Sequence, residues 1–201
     1  MEEKLIIRLS NNLGNQMFMY AAAYAASKMM NRTLYYDYIS SYSSHKNIYK
    51  FALDGFNLSE KEAESKFLFN GVTGYFKRKI LKKIDNIKKI KKFILEKSDK
   101  NKRTYYNQQF VNEKYASTAY MEGYFESEKY FIPYKEEIKK QFTPKKYFNF
   151  KNNKYLSNIL NADSVSLCVR QNRFTEKYNK VTKKDYINSD KFVSDQLNFI
   201  N

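Results

Sequence analysis

Residues 4–36 read KLIIRLSNNLGNQMFMYAAAYAASKMMNRTLYY, and their order decides the fold. Lys4 to Leu9 form a short apolar run with the composition of a largely buried first strand. Ser10 to Gln16 then supply Ser, Asn and Gly, residues that suit a tight turn. From Gln16 to Met30 the chain is rich in Ala and has no Gly or Pro, which predicts a helix. Asn15 is placed to cap that helix. The small side chains around Tyr20 predict close packing on a sheet. Thr33 to Tyr36 read as a second strand. Strand, turn, helix, strand is the βαβ pattern of an α/β layer fold.

Outward from this unit, residues 37–75 are mixed. A turn is expected at Asp54–Gly55, and Ser59-Glu60-Lys61-Glu62 matches a capping box that would open a helix. Residues 77–103 hold thirteen Lys or Arg against three acids. Ile80, Leu81, Ile84, Ile87, Ile90, Ile94 and Leu95 recur there at spacings of three and four. That periodicity predicts a basic amphipathic helix over 77–97. Its apolar stripe either packs on the body of the protein or meets an anionic surface. Residues 116–125 read as a strand ending near Gly123, with Tyr124 and Phe125 in the core. Residues 127–141 read as a helix in two pieces, divided at Pro133. Thr143 to Tyr155 is a polar connector, which places a domain boundary between 1–155 and 156–201. Ser164 to Arg170 alternates like a strand and delivers an arginine at its carboxyl end, and a helix is expected over 184–201.

Composition narrows the function. The 201 residues carry a formal net charge of +16 and are 42% hydrophobic, enough for a sizeable core. That charge suits polyanions: nucleotide phosphates, anionic lipid or nucleic acid. No nucleic-acid reading module accompanies the lysines, so nucleic acid is the weakest of the three. One Cys and one His exclude a disulfide framework and a histidine-built zinc site. Cys168 falls inside an expected core strand, and His45 falls in a polar loop without companion ligands. MEEKLIIRL is not a signal peptide, and no run is apolar enough to span a bilayer. The expected location is the cytosol, with peripheral contact at the inner face of the membrane through 77–103.

Three segments carry candidate chemistry. In the first, Gly14 lies between strand and helix, where a ligand could approach the backbone and the helix amino terminus. Asn11, Asn12, Asn15 and Gln16 add amides suited to sugar hydroxyls. In the second, CVRQNRF at 168–174, Arg170 and Arg173 leave a strand end with Gln171 between them. Ligands of α/β sheets sit there, and an arginine there can grip a phosphate. In the third, GYFESEKYF at 123–131, aromatics flank a Ser-Glu turn. Candidate bases are Glu126, Glu128 and Glu176, and none stands out.

These segments together resemble the bacterial alpha-1,2-fucosyltransferases of glycosyltransferase family 11. Members open with Gly-Leu-Gly-Asn-Gln-Met-Phe-Gln-Tyr after the first strand. Asn12-Leu13-Gly14-Asn15-Gln16-Met17-Phe18-Met19-Tyr20 matches it, with asparagine for the first glycine and methionine for the second glutamine. Gly123 to Phe131 match Gly-Tyr-Phe-Gln-Ser-Glu-Lys-Tyr-Phe, with Glu126 for glutamine. A later His-x-Arg-Arg-x-Asp-Tyr motif aligns with Cys168 to Phe174. There only Arg170 keeps its residue, with Gln171 and Arg173 in changed positions. The resemblance implies a GT-B-like architecture: a Rossmann-like N-terminal domain on the acceptor side, then only the beginning of a GDP-sugar-binding domain. It implies inverting, metal-independent transfer of L-fucose from GDP-fucose to a glycan hydroxyl in surface polysaccharide synthesis. It places the donor diphosphate at Arg170, and implies a nucleotide sugar and a glycan acceptor as partners, with no cofactor. The alternatives are an inactive remnant, a glycosyltransferase using another nucleotide sugar, and a basic membrane- or nucleic-acid-associated module.

Overall fold

The computed structural model describes residues 2–42, 50–99, 104–145, 157–159, 161–163 and 165. The chain divides into two units, Met1–Tyr147 and Phe148–Asn201. In the first unit the opening segment forms β1 (Lys4–Arg8), α1 (Leu13–Met29) and β2 (Thr33–Asp37). Next come β3 (Lys61–Glu62), α2 (Gly71–Lys88), β4 (Phe93–Leu95), β5 (Thr118–Glu122) and α3 (Lys135–Gln141). The five strands form one parallel sheet in the order β3-β2-β1-β5-β4. This is an α/β fold.

The sheet has a core on each face, and strand alternation sorts the residues between them. Leu5, Ile7, Leu34, Tyr36, Ala119 and Met121 join the Ala-rich body of α1 in the larger core. Ile6, Phe69, Phe93 and Tyr120 form the smaller one, with Leu81 of α2 packed against it. β1 is therefore buried on both sides, which explains its continuous apolar run. Tyr20 and Tyr24 of α1 donate hydrogen bonds to Gln141 (2.5 Å) and Glu137 (2.6 Å) of α3. Arg32 donates to the carbonyls of Lys4, Ala116 and Tyr115 and so ties together the amino ends of β1 and β5.

Several expectations need correcting. The helix α1 starts at Leu13, three residues before Gln16, and Asn12 rather than Asn15 occupies the N-cap position. Ser59 opens no helix. Its N–H donates to Gln141 Oε1, and Lys61 and Glu62 pair in parallel with Tyr35 and Tyr36 of β2. Long-range partners thus override the capping pattern. The basic helix runs over Gly71–Lys88 rather than 77–97. Its stop is set by Lys89, which turns left-handed at φ 49°. The Asp85 carboxylate accepts the N–H groups of Lys92 (2.7 Å) and Phe93 (3.0 Å), turning the chain into β4. Ile94 and Leu95 are strand residues as a result. The segment 127–141 breaks near Pro133 into short 3-10 turns and α3. Apart from Val165, the expected strand at 164–170 lies outside the described residues, as do the expected helix at 184–201, His45 and Cys168.

Candidate functional site

An α/β sheet opens a crevice beyond its carboxyl ends wherever neighbouring strands send their connections to opposite sides. Here that point lies between β1 and β5, since β2 and β3 lie on one side of the pair and β4 on the other. A cavity of about 390 Å³ occupies it, lined by Arg8 and Ser10 at the end of β1, Glu122 and Tyr124 at the end of β5, Glu96 after β4, and Lys82 of α2 among others.

The two motif segments converge at this end of the sheet. Asn11 Nδ2 donates to the Tyr124 hydroxyl (3.0 Å), and Asn15 Nδ2 donates to Glu126 Oε1 (2.6 Å). The rings of Phe18 and Phe131 stand 6.0 Å apart. So the segments around 11–20 and 123–131 form one wall, although more than a hundred residues separate them. Tyr124, expected in the core, is exposed and lines the crevice instead.

Each amide of the first motif has a distinct place. Gln16 is fully buried. Its amide nitrogen donates to the carbonyls of Asn11 (2.7 Å) and Lys50 (2.9 Å), and its Oε1 accepts from Ala52 N–H (2.9 Å). Both hydrogens and the oxygen are therefore committed to backbone, and Gln16 shapes the loop from within. Asn12 is exposed and makes no side-chain cap bond. Gly14 is also exposed, and a Cβ there would meet nothing within 4 Å. The left-handed residue of this turn is Asn11 (φ 60°), not Gly14. The described residues thus leave open space over Gly14. Arg170, Gln171 and Arg173, with Glu176, lie outside the described residues.

Two carboxylates line the crevice that sequence reasoning missed. Glu122 is buried and binds both Arg78 (Nε to Oε1, 2.6 Å) and Lys82. Burial pushes its pKa up, but the bonds from Arg78 and Lys82 outweigh that and hold it below the ordinary value of 4.5. The same carboxylate raises the pKa of Arg78. Glu96 accepts the N–H groups of Tyr124 (2.7 Å) and Phe125 (3.0 Å). It thereby fixes a turn in which Phe125 takes φ 51° and Gly123 takes φ 150°. Both carboxylates anchor structure, so neither stands free to take a proton from a substrate. The signal was present in the sequence. FILE and YME each end an apolar strand run on a glutamate, at the sheet end where ligands bind.

Arg8 is a cation of the crevice with donor capacity left. Its Nε is buried without a hydrogen-bond partner. Burial and the neighbouring Arg78 lower its pKa, while Glu122 and Asp37 act in the opposite direction. A guanidinium so placed can donate to a hydroxyl or an anionic oxygen entering the crevice. Among the described residues no cluster of three His, Cys, Asp or Glu side chains could hold a metal ion.

The chain is similar to an alpha-1,2-colitosyltransferase from Escherichia coli, with 26% identity over 206 aligned residues. The match takes in 96% of this chain and 65% of the length of that protein. No protein-family model matches the chain, and no solved structure matches it.

Proposed function

We propose that the protein is a glycosyltransferase of the alpha-1,2-fucosyltransferase type, moving L-fucose or colitose from a GDP-activated donor to a glycan hydroxyl. The observation that carries this reading is the meeting of the two family-like segments, through Asn11–Tyr124 and Asn15–Glu126, at the sheet's switch point. The similarity to a colitosyltransferase along nearly the whole chain supports the same reaction class and adds a second donor sugar.

In this reading the acceptor occupies the crevice beyond β1 and β5. Arg8, Ser10 and Tyr124 offer it polar contacts, and the open space over Gly14 lets a sugar ring approach α1. The acceptor oxygen attacks C1 of the donor sugar. The bond from C1 to the β-phosphate oxygen breaks with inversion, its electron pair leaves with GDP, and the acceptor proton passes to a base. Charge develops on the departing diphosphate, and Arg170 is the group assigned to hold it. Asn12 and Asn15 offer amides to the acceptor, Gln16 holds their loop from within, and Gln171 and Arg173 are proposed as substrate contacts on the resemblance alone.

The test is GDP release from a panel of sugar nucleotides with galactoside acceptors. Turnover with GDP-fucose or GDP-colitose is expected, and Arg170→Ala should lower it by roughly a hundredfold or more, the usual loss for one transition-state donor. Preference for a uridine- or thymidine-linked sugar would overturn the donor assignment.

A further inference from the structure

The two faces of α2 do different work. Gly74, Arg78, Leu81, Lys82 and Asp85 turn toward the body of the protein: Gly74 and Asp85 are buried, Leu81 packs on the smaller core, and Arg78 and Lys82 bind Glu122. The opposite face carries Val72, Phe76, Ile80 and Ile87, exposed by 73%, 54%, 58% and 70%. Of the stripe residues read from the sequence that fall in α2, Leu81 packs internally while Ile80 and Ile87 do not, and Val72 and Phe76 extend the exposed set. At 100° per residue these four exposed residues lie within one narrow stripe. Lys83 falls inside it, Lys79 lies at its edge, Lys77 and Lys88 sit farther round the helix, and all four lysines are exposed. Among the described residues none of these lysines pairs with a carboxylate.

We propose that the outer face of α2 docks the protein on an anionic lipid bilayer. Charge complementarity chooses the occupant. Lysine heads reach the phosphate layer while their stems and the apolar side chains enter the acyl boundary. A second copy of this chain suits the face poorly, since a two-fold contact would set Lys79 and Lys83 against their own equivalents. Its exposed aromatics, Phe76 and the neighbouring Tyr75, meet edge to face at 5.6 Å rather than as a stacking platform for bases, and the aliphatic side chains beside them suit an acyl boundary better than a nucleic-acid strand. Because α2 holds Glu122 from its inner side, docking would set the crevice close behind a lipid-facing helix.

The experiment is sedimentation of the full chain with vesicles, without any sugar nucleotide, so it stands apart from the transferase reading. One set is phosphatidylcholine alone and the other contains roughly one-third phosphatidylglycerol. Three triple variants are compared, each checked by circular dichroism: V72S/F76S/I80S, K77Q/K79Q/K83Q, and K135Q/K139Q/K140Q on α3. Salt-sensitive binding to the anionic vesicles alone is expected. The two α2 variants should each lose about tenfold in partitioning, and the α3 control should stay near wild type. Absence of binding, binding that ignores V72S/F76S/I80S, or an equal loss in the α3 control would overturn the proposal. So would a wild-type dimer by light scattering that V72S/F76S/I80S abolishes, because a second copy would then cover the face.

Discussion

Asn15 Nδ2 donates a 2.6 Å hydrogen bond to Glu126 Oε1, joining the first turn of α1 to the segment that follows β5. Together with Asn11 and Tyr124 it closes one wall of the crevice. The contact is exposed, where water competes for both partners, so its coupling should be modest. A double-mutant cycle with Asn15→Ala and Glu126→Ala, followed by urea denaturation, should give about 1 kcal/mol of interaction. Strict additivity would mean the two segments do not hold each other.

Glu122 links stability to acid. Its folded pKa lies below 4.5 because the bonds to Arg78 and Lys82 outweigh the opposing effect of burial. A carboxylate depressed in the folded state stabilises it fully above the unfolded value, and that contribution is lost as pH falls through the folded value. Wild-type stability should therefore drop on acidification below about pH 4.5, and Glu122→Gln should flatten this part of the curve. Glu122→Ala should cost about 3 kcal/mol at neutral pH, since it leaves Arg78 and Lys82 facing each other unpaired. Urea melts across the acid range measure both.

Gly123 is required by geometry. A Cβ there would meet the Glu96 Cβ at 2.3 Å, and φ is 150°. Gly123→Ala should destabilise the protein by about 1–3 kcal/mol through backbone strain alone, with the clash adding to it. It should also reposition Tyr124. Gly14→Ala meets no neighbour and should leave the melting temperature nearly unchanged while lowering transfer, which separates a role in folding from a role in the cleft.

The tyrosines set an alkaline limit. Burial raises the phenols of Tyr42, Tyr115 and Tyr120, each to about 12. Tyr20 and Tyr24 are raised as well, again chiefly by burial. A group whose folded pKa is raised contributes stability below its unfolded value near 10, and loses it as pH rises toward 12. Phenolate absorbance should show Tyr42, Tyr115 and Tyr120 ionising only near 12, with unfolding setting in over the same interval. Titration of every tyrosine near 10 in a folded protein would contradict the packing described for the cores.

The opening βαβ unit was legible because its signals are local: an apolar run, a polar turn and an Ala-rich stretch without breakers. The end of α2 was not. Its isoleucines and leucines keep a helical period through Leu95, and only Asp85 reaching Lys92 and Phe93 shows where the helix must stop. Ser59 failed for the same reason, since its N–H found Gln141 rather than a turn of its own. In the site, the two motif segments were visible as separate stretches, and their meeting was not. Gln16 looked like a sugar contact by residue type, yet burial assigns its amide to the backbone. Glu96 and Glu122 were overlooked although each ends an apolar run, because only the order of strands brings the two run ends to one crevice.

The most direct measurement is mass and linkage analysis of the product after incubating the protein with GDP-fucose or GDP-colitose and a galactoside acceptor. A single added deoxy sugar in alpha-1,2 linkage, strongly reduced by Arg8→Met, is the predicted result. An acceptor recovered unmodified from both donors, with hydrolysis or no reaction in its place, would contradict the assignment.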